Sequence, residues 1–287
     1  MSPAPPALLA GLIDDAAVFP PGNAPLPHAV SRHRLHRTAP YAGLVGPLLV
    51  PAADVAALVA QARSLDGGAL EVALIARPGV DPAVVVSAVE QLAPEPTVTV
   101  VGAELGWFPV WRDLRVGGLP LTLEVPRGAD RDRALEDVAA AVDEVGHSAQ
   151  AKFRTGATPT WHWPDEVELA LFLHDCARAG VPFKLTGGLH HAVRAEHGGE
   201  PQHGLLNILL AVHAAAGDRS PATIEALLTE RDPEPLVDGV STLDDADVRR
   251  VRSLFTAYGC CEVTDPIGEL RDLDLLDLDH VPTQENP

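Results

Sequence analysis

From residue 43 to about residue 203, short apolar runs rich in Val, Ile and Leu alternate with longer amphipathic segments. The runs at 43–52 (GLVGPLLVPA), 70–77, 97–105, 119–127, 149–156 and 181–189 are nearly continuous in apolar character, as expected of strands buried on both faces. Between them, the segments 53–65, 81–93, 132–146 and 164–180 repeat their apolar residues at helical spacing. Apolar strands alternating with amphipathic helices imply a parallel sheet covered by helices. A repeat of about 25–30 residues suits a (β/α) barrel of the TIM type, which takes about 250 residues; a doubly wound open sheet is the second choice.

The pattern weakens after residue 203. Segments 203–217, 220–232 and 244–259 read as helices, and PLVDGV (235–240) is a poor candidate for a further strand, so the barrel is expected to be irregular or incomplete there. The AAVFPPG segment (16–22) reads as an extra strand or a closing loop. The organisation expected is one barrel domain over 1–287, with residues 1–42 as an extension packed on it and 262–287 as an acidic tail.

Within this frame one compositional oddity carries chemistry. Lys152 and Lys184 are the only lysines among 21 Lys and Arg residues. They lie in AQAKFRTG and VPFKLTGGL, 32 residues apart, which is one strand–helix–strand unit. Alternate strand residues share a face, so Lys152 goes with Arg154 and Lys184 with Thr186. Glycines follow each run (Gly156; Gly187 and Gly188), which sets these side chains at the C-terminal strand ends, where barrels build active sites. Arginine keeps its charge, whereas a buried lysine beside other cations can give up its proton and attack a carbonyl. Lys184 and Arg154 would both weaken the hold of Lys152 on its proton. The plainer reading is two cations that cap helices or bind a phosphate.

The paired segments AKFRTG and FKLTGG resemble the lysine strands of the deoxyribose-phosphate aldolase group of class I aldolases. The resemblance covers residues 149–190 and implies Lys152 as the Schiff-base nucleophile, Lys184 as its pKa-lowering neighbour, and Gly187 and Gly188 as donors of N–H groups to a phosphate or carboxylate. Arg154 stands where that group has a small hydroxyl residue, which points to an anionic substrate. The pair His190-His191, which follows the glycines after Leu189, also departs from the pattern. The remainder of the chain, with its DDAAVFPPG start and GCCEVTDP segment, is similar to uncharacterised bacterial proteins.

Other residues qualify by position. Glu124, near the end of the fourth predicted strand, is a candidate for proton transfer, since a buried carboxylate there needs a cationic partner; Glu104 has the same claim more weakly. His190 and His191 are candidate general acid–base groups. His203 and Asn207, four residues apart on one helix, either line the pocket or cap and pack. Asp14 and Asp15 precede the AAVFPPG turn, and Asp15 in particular could pair with Arg154 or act as a turn aspartate. The histidines at 190, 191, 197 and 203 match no standard zinc spacing, so no metal and no cofactor is assigned. Trp161 and Trp163 flank His162 in a loop that either covers the pocket or seals the core. Cys260 and Cys261 have no evident histidine partner in sequence and read as structural.

These features expect an aldolase-like lyase acting on a small anionic carbonyl compound or phosphorylated metabolite. The alternatives are a metal-dependent hydrolase or lyase built on the histidines, and a non-catalytic barrel that binds a phosphometabolite. A net charge of −19 argues against nucleic acid and anionic membrane surfaces as partners. The absence of a basic region before the first apolar residues, of a long apolar run and of a cysteine framework predicts a cytoplasmic protein. A homo-oligomer is compatible with the sequence but not specified by it.

Overall fold

The computed structural model of the chain describes residues 3–64, 68–142 and 148–276. Ten strands follow in chain order: β1 (Ile13–Asp15), β2 (Val45–Pro51), β3 (Leu70–Ala76), β4 (Val98–Gly106), β5 (Leu121–Glu124), β6 (Ala149–Arg154), β7 (Phe183–Thr186), β8 (Ala195–His197), β9 (Glu200–Gln202) and β10 (Phe255–Cys260). Eight of them close a barrel in the order β1-β10-β7-β6-β5-β4-β3-β2, every pairing parallel, while β8 and β9 form a separate antiparallel hairpin. The helices are α1 (Pro6–Leu9), α2 (Leu26–His36), α3 (Val55–Arg63), α4 (Ala83–Leu92), α5 (Arg131–Val142), α6 (Glu166–Ala179), α7 (Leu205–Ala216), α8 (Pro221–Thr229), α9 (Pro233–Ser241), α10 (Asp245–Leu254) and α11 (Thr264–Asp272). The chain is thus an α/β barrel of the TIM type, complete with eight strands, and none of its described helices is long and apolar enough to cross a membrane.

The six strands expected between residues 43 and 189 are β2 to β7, most of them shortened at one or both ends and β4 shifted by one residue to Val98–Gly106. The irregular region after 203 differs. Residues 235–240 lie in α9, which starts at a side-chain cap from Asp232 followed by Pro233 at its first position, so they form no strand. The helix expected over 244–259 stops at Leu254, and its last third is β10, the eighth barrel strand. β1 lies just ahead of the AAVFPPG segment and pairs with both β10 and β2, so residues 1–42 supply a barrel stave rather than an added layer. Residues 264–272 form α11 instead of tail; residues 277–287 of the expected tail and the end of the predicted helix at 143–146 lie outside the described residues.

Which way the strands face is set by their phenylalanines. Phe153 of β6, Phe183 of β7 and Phe255 of β10 project outward and join Phe172 of α6 in a chain of ring contacts with centroids 4.6 to 5.7 Å apart. All four are fully buried, and such pairs contribute about 0.5–1.5 kcal/mol beyond their burial. Four of the chain's six phenylalanines are therefore spent fixing one side of the barrel. By alternation, Lys152, Arg154, Lys184 and Thr186 are turned inward. α6 is anchored at both ends, by the Asp165 side chain on the Glu168 N–H and by Gly180 in the left-handed conformation.

Candidate functional site

The interior of this barrel is polar where such barrels ordinarily stack Val, Ile and Leu. At the floor, Thr256 Oγ1 bonds Gln150 Oε1 at 2.6 Å, and Gln150 Nε2 donates to Thr122 Oγ1 at 2.8 Å. Above this neutral layer sit charges. Lys152 and Lys184 are directly opposite in the β6–β7 register and only 3% and 4% exposed. Lys152 Nζ donates to Glu104 Oε2 at 3.0 Å and lies 3.0 Å from Glu124 Oε2. Lys184 Nζ donates to the other oxygen of Glu104 and to Asp14. Glu124 in turn receives Arg154 through Nε at 2.9 Å and Nη2 at 3.2 Å. The result is one chain of alternating charges, Asp14–Lys184–Glu104–Lys152–Glu124–Arg154, drawn from β1, β7, β4, β6 and β5. Three acids meet three bases, so the interior is formally neutral.

This arrangement changes the roles expected of the lysines. Glu104 stands between the two ammonium groups, so the direct like-charge contact suggested by sequence is replaced by a carboxylate bridge. Burial works against the charge of Lys184, yet Asp14 and Glu104 together push its pKa above the ordinary lysine range. Glu104 is buried too, but two lysines draw it down to about 2. Asp14, with one lysine and the Glu104 charge nearby, is dominated by burial and is raised to about 6. Burial opposes the charge of Glu124 as well, and Lys152 with Arg154 still hold it below the usual carboxylate value. Two acids of one network pushed apart in this way divide into a fixed anion and a group that exchanges its proton near neutrality.

The mouth above is asymmetric. Arg154 and Thr186 rim the β6–β7 side, whereas Ala16, Leu49, Ala73 and Ile75 form an apolar patch on the other, with Phe19 against it and the Arg77 guanidinium 5.2 Å from the Phe19 ring centre. The glycines have steric duties. A Cβ on Gly156 would lie 1.7 Å from the Gly187 carbonyl oxygen, and Gly187 has φ +76° beside Arg154 Nη1. They let two strand ends touch and seat Arg154 over the charge chain. Gly188 packs against Thr155 and Trp163. Gly46 is equally constrained, since a Cβ there would fall 2.0 Å from Asp14 Oδ1.

Comparison of the chain with protein-family models, with curated proteins and with solved structures finds no match in any of the three.

Of the residues singled out by sequence, Lys152, Lys184, Glu124, Arg154, Thr186, Gly187 and Gly188 come together at the barrel mouth, and Glu104 with Asp14 completes them. Asp15 does not join: alternation turns it outward, where it accepts from the Ala17 N–H at 3.0 Å and pairs with His33 Nδ1 at 3.1 Å. His203 is a strut. Its Nε2–H donates to the Pro164 carbonyl at 2.9 Å, Arg194 Nη1 approaches its Nδ1 at 3.1 Å, and burial first, then Arg194, lowers it to about 4. Asn207 is another, fully buried, accepting from the Arg194 N–H and donating to the carbonyls of Leu227 and Glu230. Neither lines the mouth. His191 turns to α11, bonded to Glu269 at 2.7 Å and stacked on His197, and His190 pairs with Asp265 at 3.2 Å instead of with the lysines. His191 and His197 thus stay together while His190 and His203 take separate partners, and among the described residues no group of three His, Cys, Asp or Glu side chains is arranged to hold a metal ion. The Trp161–Trp163 loop is clamped from β5's following loop: Arg127 donates to the His162 carbonyl at 2.6 Å, stacks over Trp161 at 5.4 Å and pairs with Glu168. Sequence reading undervalued Glu104, preferred Asp15 to Asp14, and had no signal for Asp265, which lies 75 residues from its partner His190.

Proposed function

We propose that the chain is a lyase that forms an imine between Lys152 and a small anionic carbonyl compound, in the manner implied by the resemblance of its two lysine strands to class I aldolases. The observation that carries the reading is the unequal bonding of two lysines in register: Lys184 is held as a cation by Asp14 and Glu104, whereas Lys152 lies between the fixed anion Glu104 and Glu124, and Glu124, whose Arg154 partner a substrate can draw away, is the one that accepts its proton. Of the three cations in this charge network Arg154 is the most solvent-reached, its side chain 27% exposed against 4% and 5% for the lysines. A substrate carboxylate or phosphate engages Arg154 in competition with Glu124. Glu124 so released takes the Lys152 proton, and the neutral amine adds to the substrate carbonyl carbon. Loss of water from the carbinolamine, with protons returned by Glu124, gives the imine, whose positive nitrogen then accepts the electron pair of the carbon–carbon bond that breaks. Asp14, poised near neutrality, is the reserve proton site of the network. The apolar patch of Ala16, Leu49, Ala73 and Ile75 accommodates the carbon skeleton.

Trapping tests this directly. The protein is incubated with small aldehydes, ketones and keto acids, reduced with borohydride, and weighed intact. A mass increment is expected with an anionic carbonyl compound, absent in Lys152→Arg and retained at a slower rate in Lys184→Arg. No increment with any compound, or one that survives in Lys152→Arg, rejects the assignment.

A further inference from the structure

The loops that follow β7 and β10 bring together a second set of reactive groups that the lysine chemistry does not use. Cys261 Sγ is 3.3 Å from His190 Nε2, and the other ring nitrogen, Nδ1, is 3.2 Å from Asp265 Oδ2. Nucleophile, base and orienting carboxylate therefore stand in the order that activates a weak nucleophile. Three further features belong to this arrangement. The backbone N–H groups of Gly22 and of Cys261 itself face the sulfur. Gly22 has no room for a side chain, since a Cβ would lie 2.8 Å from the Ala17 carbonyl and 3.0 Å from Cys261 Cβ, so the loop after β1 is drawn against the thiol. Leu189, the residue before His190, is a buried non-glycine at φ +62°, a strained conformation that is kept where the surroundings demand it. That turn is what swings His190 over the thiol.

The neighbouring Cys260 is a foil. It is fully buried, its Sγ donates to the Glu262 carbonyl at 3.2 Å and lies farther from the imidazole, 3.7 Å from Nδ1. Cys261 is only half-buried, and the His190 side chain keeps 16% of its surface. Burial holds the Cys261 thiol above its ordinary pKa, with Asp265 and Glu262 adding to this and the two N–H groups opposing it. The thiol is thus at rest as S–H, and the imidazole has to remove its proton at the moment of attack.

We propose that Cys261 is a nucleophile, with His190 as its base and Asp265 as the residue that positions His190, and that it accepts an acyl group from an activated ester or thioester. His190 Nε2 takes the thiol proton; the sulfur attacks the acyl carbon; the carbon–oxygen or carbon–sulfur bond to the leaving group breaks; and the leaving group departs with that proton or as its anion. No oxidant or further reactant is involved. The site is independent of Lys152, because none of its three side chains bonds to the lysine network.

p-Nitrophenyl acetate serves as the probe. The expected result is a stoichiometric burst of nitrophenolate and one acetyl group on the peptide carrying Cys261, removable by hydroxylamine as a thioester but not as an amide. The wild-type thiol should react at least about 10-fold faster than N-acetylcysteine at the same pH, His190→Asn should lose about 100-fold or more, and Asp265→Asn about 10-fold, with unchanged far-ultraviolet circular dichroism. Reaction no faster than the free thiol, acetyl found on Cys260, Cys176 or a lysine instead, or an undiminished rate in His190→Asn overturns the proposal. The comparison with N-acetylcysteine needs no variant, so it stands even if a substitution at 190 fails to fold.

Discussion

Lys184 donates to Asp14 and Glu104, and Lys152 shares Glu104 and adds Glu124. Each buried ion costs several kcal/mol to desolvate, and the cost is met only while every partner is present. Removing a cation is therefore worse than removing the acid that burial already inclines to neutrality. Lys184→Met leaves Asp14 without its cation and facing a Glu104 that only Lys152 still holds, and should destabilise the protein by about 3–5 kcal/mol. Asp14→Asn retains volume and a polar contact, and since burial has raised Asp14 to about 6 its cost should be clearly smaller. Urea unfolding of the two variants at neutral pH gives the order, and equal losses would contradict an interlocked charge chain. The same residues show what sequence can and cannot say. The scarcity of lysine drew attention to Lys152 and Lys184, and alternation gave their common face. It could not reveal that Glu104, from a strand 48 residues earlier, lies between them, because that is a property of barrel closure.

At the scale of elements, the six strands of long apolar runs were legible, since each is buried on both faces. β1 was not, because its three residues are Ile13, Asp14 and Asp15 and carry a site acid where an apolar residue is expected. β10 was hidden by its helix: Leu254 passes into Phe255 with no intervening turn, so the apolar spacing of α10 runs on into the strand. The hairpin β8–β9 and the N-terminal end of α6 are joined through His203, which holds the Pro164 carbonyl with Nε2 and faces Arg194 with Nδ1. A proton on Nδ1 would meet the guanidinium in a buried site. The folded-state pKa of about 4 lies below the unfolded value, so the unfolded chain binds more protons between these limits and stability falls as pH is lowered. This contribution is complete above about pH 6.5 and is lost progressively towards pH 4, reaching on the order of 3 kcal/mol. His203→Gln should flatten the stability profile across that window in thermal or urea unfolding; a profile with unchanged slope would remove His203 from its cause.

For the whole molecule, barrel closure joins Ile13 to Tyr258 and brings Asp14 of the first stave to Lys184 of the seventh. The fold class was readable from a pattern in the middle of the chain, yet its completeness depended on two staves that obey no such pattern. The site was half readable for the same reason: its β6–β7 half is local, while Asp14, Glu104 and the Cys261–His190–Asp265 group are assembled by topology alone. The two lysines also have a consequence outside chemistry at the mouth. Both are at least 95% buried, so the folded surface offers an amine reagent no lysine at all. Acylation of Lys152 or Lys184 by a hydrophilic succinimidyl ester should be negligible under native conditions and should rise in step with unfolding as urea is added. Read by peptide mass, those two amines form a built-in clock for how often the barrel opens.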